Sequence, residues 1–104
     1  MLSEALRLIR VFHDVKQGEL ATRMGISKSY LSEIENGRKS PTIELIKKYS
    51  KEFHIPVSSI LFFSEQLDAS EEAGAKANKV RFSIAGKVLS FLQLIEARTA
   101  ERAE

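Results

Sequence analysis

Apolar residues recur every three or four positions along most of the chain, a spacing that predicts helices. No convincing alternation of apolar and polar residues, which would indicate a strand, is found. We therefore expect an all-α fold. The first helix is predicted over residues 2–13 by the apolar positions Leu2, Leu6, Ile9 and Phe12.

Two short helices are predicted next, over residues 17–24 and 28–35, with a glycine between them. Gly25 ends the first of them, because a left-handed backbone costs glycine the least. Ser27 is a favourable N-cap for the second. The residues expected to face the core are Leu20, Ala21, Met24, Leu31 and Ile34.

Two further helices complete the N-terminal part of the chain. Pro41 and Thr42 open a fourth helix that is expected to end near Phe53. Its candidate core residues are Ile43, Leu45, Ile46 and Tyr49. A short fifth helix follows and carries Ile60, Leu61 and Phe62.

The composition changes at residue 65, where Ala, Glu, Lys and Ser become frequent and large apolar residues become rare. We predict a domain over residues 1–64, a solvated linker over residues 65–78 that could be partly helical, and a C-terminal helix over residues 79–104. Heptad spacing in the last segment predicts a dimerisation stripe of Ile84, Val88, Phe91, Leu92 and Ile95. The alternative is that this helix folds back onto its own bundle.

Charge is distributed unevenly between these parts. The chain as a whole has a net charge of +2. Residues 1–64 contain ten Lys or Arg against seven Asp or Glu, whereas residues 65–104 contain six against seven. The N-terminal part is therefore the more basic, and it is where we expect a polyanionic partner.

Several functional classes receive no support from the sequence. Cysteine is absent, no stretch approaches the length of a membrane helix, and the N-terminus lacks the pattern of a signal peptide. We therefore expect a cytoplasmic protein without a membrane association. His13 and His54 have no accompanying catalytic or metal-ligand pattern, so neither an enzyme nor a metal or other cofactor is expected.

The segment over residues 17–37, QGELATRMGISKSYLSEIENG, contains the most informative pattern. Two short helices meet at a glycine turn, and the second begins with small and polar residues. Such a helix suits the major groove of DNA, because short side chains let the backbone come close to the bases. Lys28 and Tyr30 are long enough to reach base edges or phosphates.

This segment and its surroundings, over residues 2–63, closely resemble the Cro/cI-type helix-turn-helix family, also called the Xre family. The resemblance is carried by Gln17, Leu20-Ala21, Gly25-Ile26-Ser27, the run from Tyr30 to Gly37, Pro41-Thr42 and Ile60-Leu61. It implies a five-helix lambda-repressor-like DNA-binding bundle, here with an additional C-terminal helix. Residues 28–35 would then be the recognition helix.

The resemblance also implies a role for each matched residue. Gln17 would contact a phosphate and brace the recognition helix, and Arg10 would form a salt bridge with Glu35. The groove-facing positions would be Lys28, Ser29, Ser32 and Glu33. Ser27 would cap the helix and could also contact DNA, and Tyr30 would either pack on the sugar-phosphate backbone or be half-buried. The following loop would grip phosphates through Asn36, Arg38, Lys39 and Ser40.

Four residues depart from the family pattern. Gly18 lies in the first turn of the second helix, where it costs roughly 1 kcal/mol relative to Ala. Lys16 stands where the family usually has a capping Ser or Thr, and His54 stands where it often has Gly. Lys28 replaces a frequent glutamine, so no operator sequence can be transferred from relatives.

The function implied is a sequence-specific transcriptional regulator, a repressor that binds a palindromic operator in double-stranded DNA as a homodimer. Three alternatives remain open: an antitoxin, a controller of a restriction-modification operon, and a protein-interaction module without DNA binding. A protein partner is compatible with each of them.

Overall fold

Five α-helices follow one another in residues 1–72, the part of the chain that the computed structural model describes, with side chains described for residues 1–69. They are α1 (Leu2–Phe12), α2 (Gln17–Met24), α3 (Lys28–Glu35), α4 (Ile43–Phe53) and α5 (Val57–Glu72). The predicted all-α class is confirmed. The predicted dimerisation stripe and residues 73–78 of the predicted linker lie outside the described residues.

Two helix starts are capped by residues that the sequence indicated. The Ser27 hydroxyl accepts a hydrogen bond from the Tyr30 backbone N–H at 3.0 Å and so caps α3. The Thr42 hydroxyl caps α4 in the same way. Lys16, in contrast, contributes no side-chain cap to α2.

The core is formed by apolar side chains from all five helices. The buried set is Ala5, Leu6, Ile9, Leu20, Ala21, Met24, Leu31, Ile34, Leu45, Ile46, Tyr49, Phe53, Ile55, Ile60, Phe63 and Leu67. The expectation that Ile43 joins it is wrong, because this side chain is 59 % exposed. At about 100° per residue, Ile43 lies roughly 100° around α4 from the centre of the face that carries Leu45, Ile46 and Tyr49.

Helix α5 is longer than the sequence analysis predicted. Residues 65–72 of the predicted linker are helical, since α5 continues to Glu72. Ile60, Phe63 and Leu67 are buried on its inner face, whereas Leu61 and Phe62 are exposed. Their steps of three and four residues are helical, but the polar composition around Leu67 conceals the pattern in the sequence. None of the described helices combines the length and apolar character needed to span a membrane.

A buried carboxylate joins α3 to three other helices. Arg10 Nε on α1 donates to both carboxylate oxygens of Glu35, each at 3.0 Å. Gln17 Nε2 on α2 donates to Oε1 at 3.0 Å, and the Tyr49 hydroxyl on α4 donates to Oε2 at 2.6 Å. The predicted salt bridge between Arg10 and Glu35 is thus confirmed, and so is the bracing of α3 by Gln17.

Tyr49 contributes to this cluster as a neutral donor. Burial, together with the hydrogen bond to Glu35, raises the pKa of its hydroxyl far above the usual value. The hydroxyl therefore keeps its proton and donates a hydrogen bond to the carboxylate. The helical spacing of Tyr49 predicts a core position, and no pattern in the sequence predicts this hydrogen bond.

The first prediction concerns the Glu35 cluster. Replacing Glu35 with Ala should lower the free energy of unfolding by about 3–5 kcal/mol, because the largely buried Arg10 loses its counter-charge. Tyr49→Phe removes a single hydrogen bond and should cost about 1–3 kcal/mol. Urea unfolding followed by circular dichroism measures both. A loss for Glu35→Ala no larger than that for Tyr49→Phe would contradict this account.

The second prediction compares two helix ends that adopt left-handed backbone, Gly25 with φ 71° and His54 with φ 55°. Gly25→Ala should destabilise the fold by about 1 kcal/mol. The cost is one of backbone conformation, because a Cβ at Gly25 meets no other atom within 4 Å. His54→Gly should be stabilising, by up to about 1 kcal/mol. Thermal unfolding tests both, and shifts of the same sign would refute the argument.

Candidate nucleic-acid interface

Helix α3 has one buried apolar face and one polar face. Leu31 and Ile34 are fully buried in the core. On the opposite side Lys28 and Ser29 are exposed, and Ser32 is half-buried. The apolar packing therefore fixes which side of this short helix is available to a partner.

The polar face of α3 lines an open depression of about 370 Å³. Side chains from α2, α3 and the following loop line it: Gln17, Lys28, Ser29, Ser32, Glu33 and Arg38. All six were predicted as site residues from the sequence, and the fold brings them to one surface. We call this surface the α3 face.

Positive charge predominates around the α3 face. Lys28, Arg38 and Lys39 carry three cationic groups, and Glu33 carries one carboxylate. The N-terminus of α2 lies at the edge of the depression, where Gln17 begins the helix without a side-chain cap. Free amide groups at a helix start favour anions, so this surface suits a polyanion.

Gly18 lies close to the side chain of Lys28. A Cβ at Gly18 would lie 3.6 Å from Lys28 Cδ, which is an ordinary contact distance. The aliphatic stem of Lys28 therefore runs close to the first turn of α2. No residue pattern in the sequence indicated this contact, because it depends on how α2 and α3 cross.

The loop after α3 is folded back onto that helix. Gly37 adopts φ 77° and lets the chain turn. The backbone N–H groups of Arg38 and Lys39 then donate to the Glu33 carbonyl at 2.9 and 3.2 Å. Asn36 Nδ2 donates to the Ser32 hydroxyl at 3.2 Å. Arg38 and Lys39 are consequently placed beside the polar face of α3, and Ser40 is exposed in the same loop.

An ion pair links this loop to α3. Lys39 Nζ lies 3.3 Å from Glu33 Oε2 and 5.6 Å from the centre of the Tyr30 ring. Tyr30 is half-buried and packs against the core, which was one of the two positions considered for it. The pair is not predictable from the sequence pattern, because Lys39 follows the end of α3 and no helical spacing relates it to Glu33.

Comparison with known proteins places the chain in a family. The helix-turn-helix family model matches residues 6–60, which is more than half of the chain. The matched range contains α2, α3 and every predicted DNA-binding residue. No solved structure matches the chain significantly.

Several curated proteins are similar to it. The cryptic phage CTXphi transcriptional repressor RstR of Vibrio cholerae is 32 % identical over 62 % of this chain and 59 % of its own length. The transcriptional regulator ClgR of Mycobacterium tuberculosis is 30 % identical over 84 % of this chain and 73 % of its own. The antitoxin PezA of Streptococcus pneumoniae is 32 % identical over 69 % of this chain, and the match spans 46 % of PezA.

The family match, the similar regulators and the helical bundle agree with one another. The chain therefore belongs to the Cro/cI-type (Xre) helix-turn-helix family of transcriptional regulators.

Proposed function

We propose that this protein represses transcription by binding a palindromic operator in double-stranded DNA as a homodimer. The observation that carries the proposal is the α3 face, where six polar or charged side chains from three segments share one open surface. Family membership supports DNA binding, and the similarity to RstR, which is named as a repressor, supports the direction of regulation.

The dimensions of α3 suit the major groove. An α-helix with its side chains has a diameter of about 10–12 Å, which matches the width of the groove at about 12 Å. Lys28, Ser29, Ser32 and Glu33 would then meet base edges. Lysine donates to guanine O6 and N7, and a glutamate accepts from cytosine N4.

The residues around α3 would hold the sugar-phosphate backbone. Gln17 and Arg38 line the depression and would position α3 on the duplex. Further contacts with the sugar-phosphate backbone are assigned to Ser27, Asn36, Lys39 and Ser40. Such contacts fix orientation and affinity, and they carry little sequence information.

Dimerisation follows from the size of this surface and from the C-terminal sequence. One recognition helix reads only half of an operator, and two-fold pairing places the second helix about 34 Å away. The heptad stripe of Ile84, Val88, Phe91, Leu92 and Ile95 would supply the contact by burying apolar side chains of two copies.

A second candidate function is that of an antitoxin. It is favoured by the 72-residue similarity to PezA, which is named as one. An antitoxin of this kind would also need a surface for a toxin. Co-purification of the untagged chain with the product of a neighbouring gene would distinguish this use from that of a stand-alone repressor.

The third prediction separates base recognition from phosphate contact. Lys28→Ala should relax the preference for one base pair, with a discrimination loss of about 1–3 kcal/mol. Arg38→Ala should instead weaken binding to all sequences alike and lower the salt dependence by about one counterion. The sequence for the assay comes from random-site selection with the unmodified protein, and fluorescence anisotropy measures binding.

Lys51→Ala is the matched control for this experiment. Lys51 is an exposed cation on α4 that lines a different depression, next to Arg23, Lys48 and His54. Its loss should leave both affinity and preference unchanged. An equal effect of Lys51→Ala and Arg38→Ala would indicate that only net charge matters, and would contradict the proposed interface.

The fourth prediction concerns the assembly. Random-site selection should enrich an inverted repeat whose halves are about one duplex turn apart. Light scattering at micromolar concentration should give the mass of a dimer, and Phe91→Glu with Ile95→Glu should give that of a monomer. A monomeric unmodified protein, or a selected site without two-fold symmetry, would refute the dimer model.

A further inference from the structure

Glu33 presents a physical difficulty for a DNA-binding surface. It is a carboxylate that lines the α3 face, with 39 % of its side chain exposed. A negative charge carried toward phosphates is repelled unless a cation compensates it. The structure supplies one such cation, since Lys39 Nζ lies 3.3 Å from Glu33 Oε2.

Backbone hydrogen bonds place Lys39 next to Glu33. The Glu33 carbonyl accepts hydrogen bonds from the N–H groups of both Arg38 and Lys39, and these bonds hold the loop against the end of α3. Lys39 is thereby kept next to Glu33 by its main chain as well as by its ammonium group. The half-buried Tyr30 ring beneath Nζ supports the same position, at 5.6 Å.

The ion pair between Lys39 and Glu33 contributes little to the stability of the fold. Both side chains are substantially exposed, at 54 % for Lys39 and 39 % for Glu33. Ion pairs with such exposure contribute little to stability. The pair occupies Oε2 of Glu33, so Oε1 remains able to accept a hydrogen bond from a base.

We propose that Lys39 is a specificity-determining positioning residue, which neutralises and orients Glu33 so that this carboxylate can accept a hydrogen bond from cytosine N4. The proposal rests on the proposed function, because it requires α3 to enter the major groove. It assigns Lys39 an action through Glu33, where the family resemblance implied a phosphate contact. It also makes cytosine the base that Glu33 selects in each half-site.

A double-mutant cycle tests this coupling. The proteins are the unmodified chain, Lys39→Met, Glu33→Gln and the double variant, and the probe is the duplex obtained by random-site selection with the unmodified chain. Lys39→Met should weaken binding about tenfold more when Glu33 is present than when Gln replaces it. Arg38→Met is the matched control, since Arg38 lines the same depression, and its effect should be the same in both backgrounds.

Base preference provides the second measurement. Glu33→Gln should move the preference at one position from cytosine towards adenine, because glutamine pairs with adenine N6 and N7. Lys39→Met should reduce the preference for cytosine at that same position. Circular dichroism should give unchanged melting curves for these variants, since the pair is exposed.

The outcomes separate this inference from the proposed function. If the unmodified chain selects no sequence at all, the proposed function fails. If it selects an operator but Lys39→Met costs the same in both backgrounds, Lys39 acts as a plain phosphate contact and the inference is overturned. If Glu33→Gln changes the base preference at no position of the operator, the inference is likewise overturned.

Discussion

The buried carboxylate of Glu35 is the interaction on which the arrangement of the helices depends. An ionised group removed from water is tolerated only when charge and hydrogen bonds compensate it. Here Arg10, Gln17 and Tyr49 supply that compensation from α1, α2 and α4. Because the partners belong to three helices, any rotation or shift of α3 would leave a charge or a donor unsatisfied.

The same constraint prepares the α3 face for binding. The Ser27 cap fixes the start of α3, and the hydrogen bonds of Glu35, its last residue, fix the other end. Leu31 and Ile34 anchor the helix between these ends. A surface that is rigid before it meets its partner loses little conformational entropy on binding. The stability of the core and the position of the α3 face are therefore linked through one short helix.

Two carboxylates on α3 show how position decides the use of a residue type. Glu33 and Glu35 are two residues apart, so at about 100° per residue they point to nearly opposite sides of the helix. Glu35 is buried at 4 % exposure and braced by neighbouring helices. Glu33 lies on the outside, where the loop provides Lys39 as its counter-charge. The same chemical group is structural in one place and available to a ligand in the other.

Local pattern in the sequence determined the helices, their caps at Ser27 and Thr42, the turn at Gly25, and the family. These features depend on neighbouring residues, whose spacing is visible in the chain. Only the tertiary structure decided the contacts that connect distant segments: the Tyr49 hydroxyl on Glu35, Lys28 beside Gly18, and the extension of α5 over a core that buries Leu67. Each of them depends on the angle and distance at which helices pack, and no local spacing encodes those quantities.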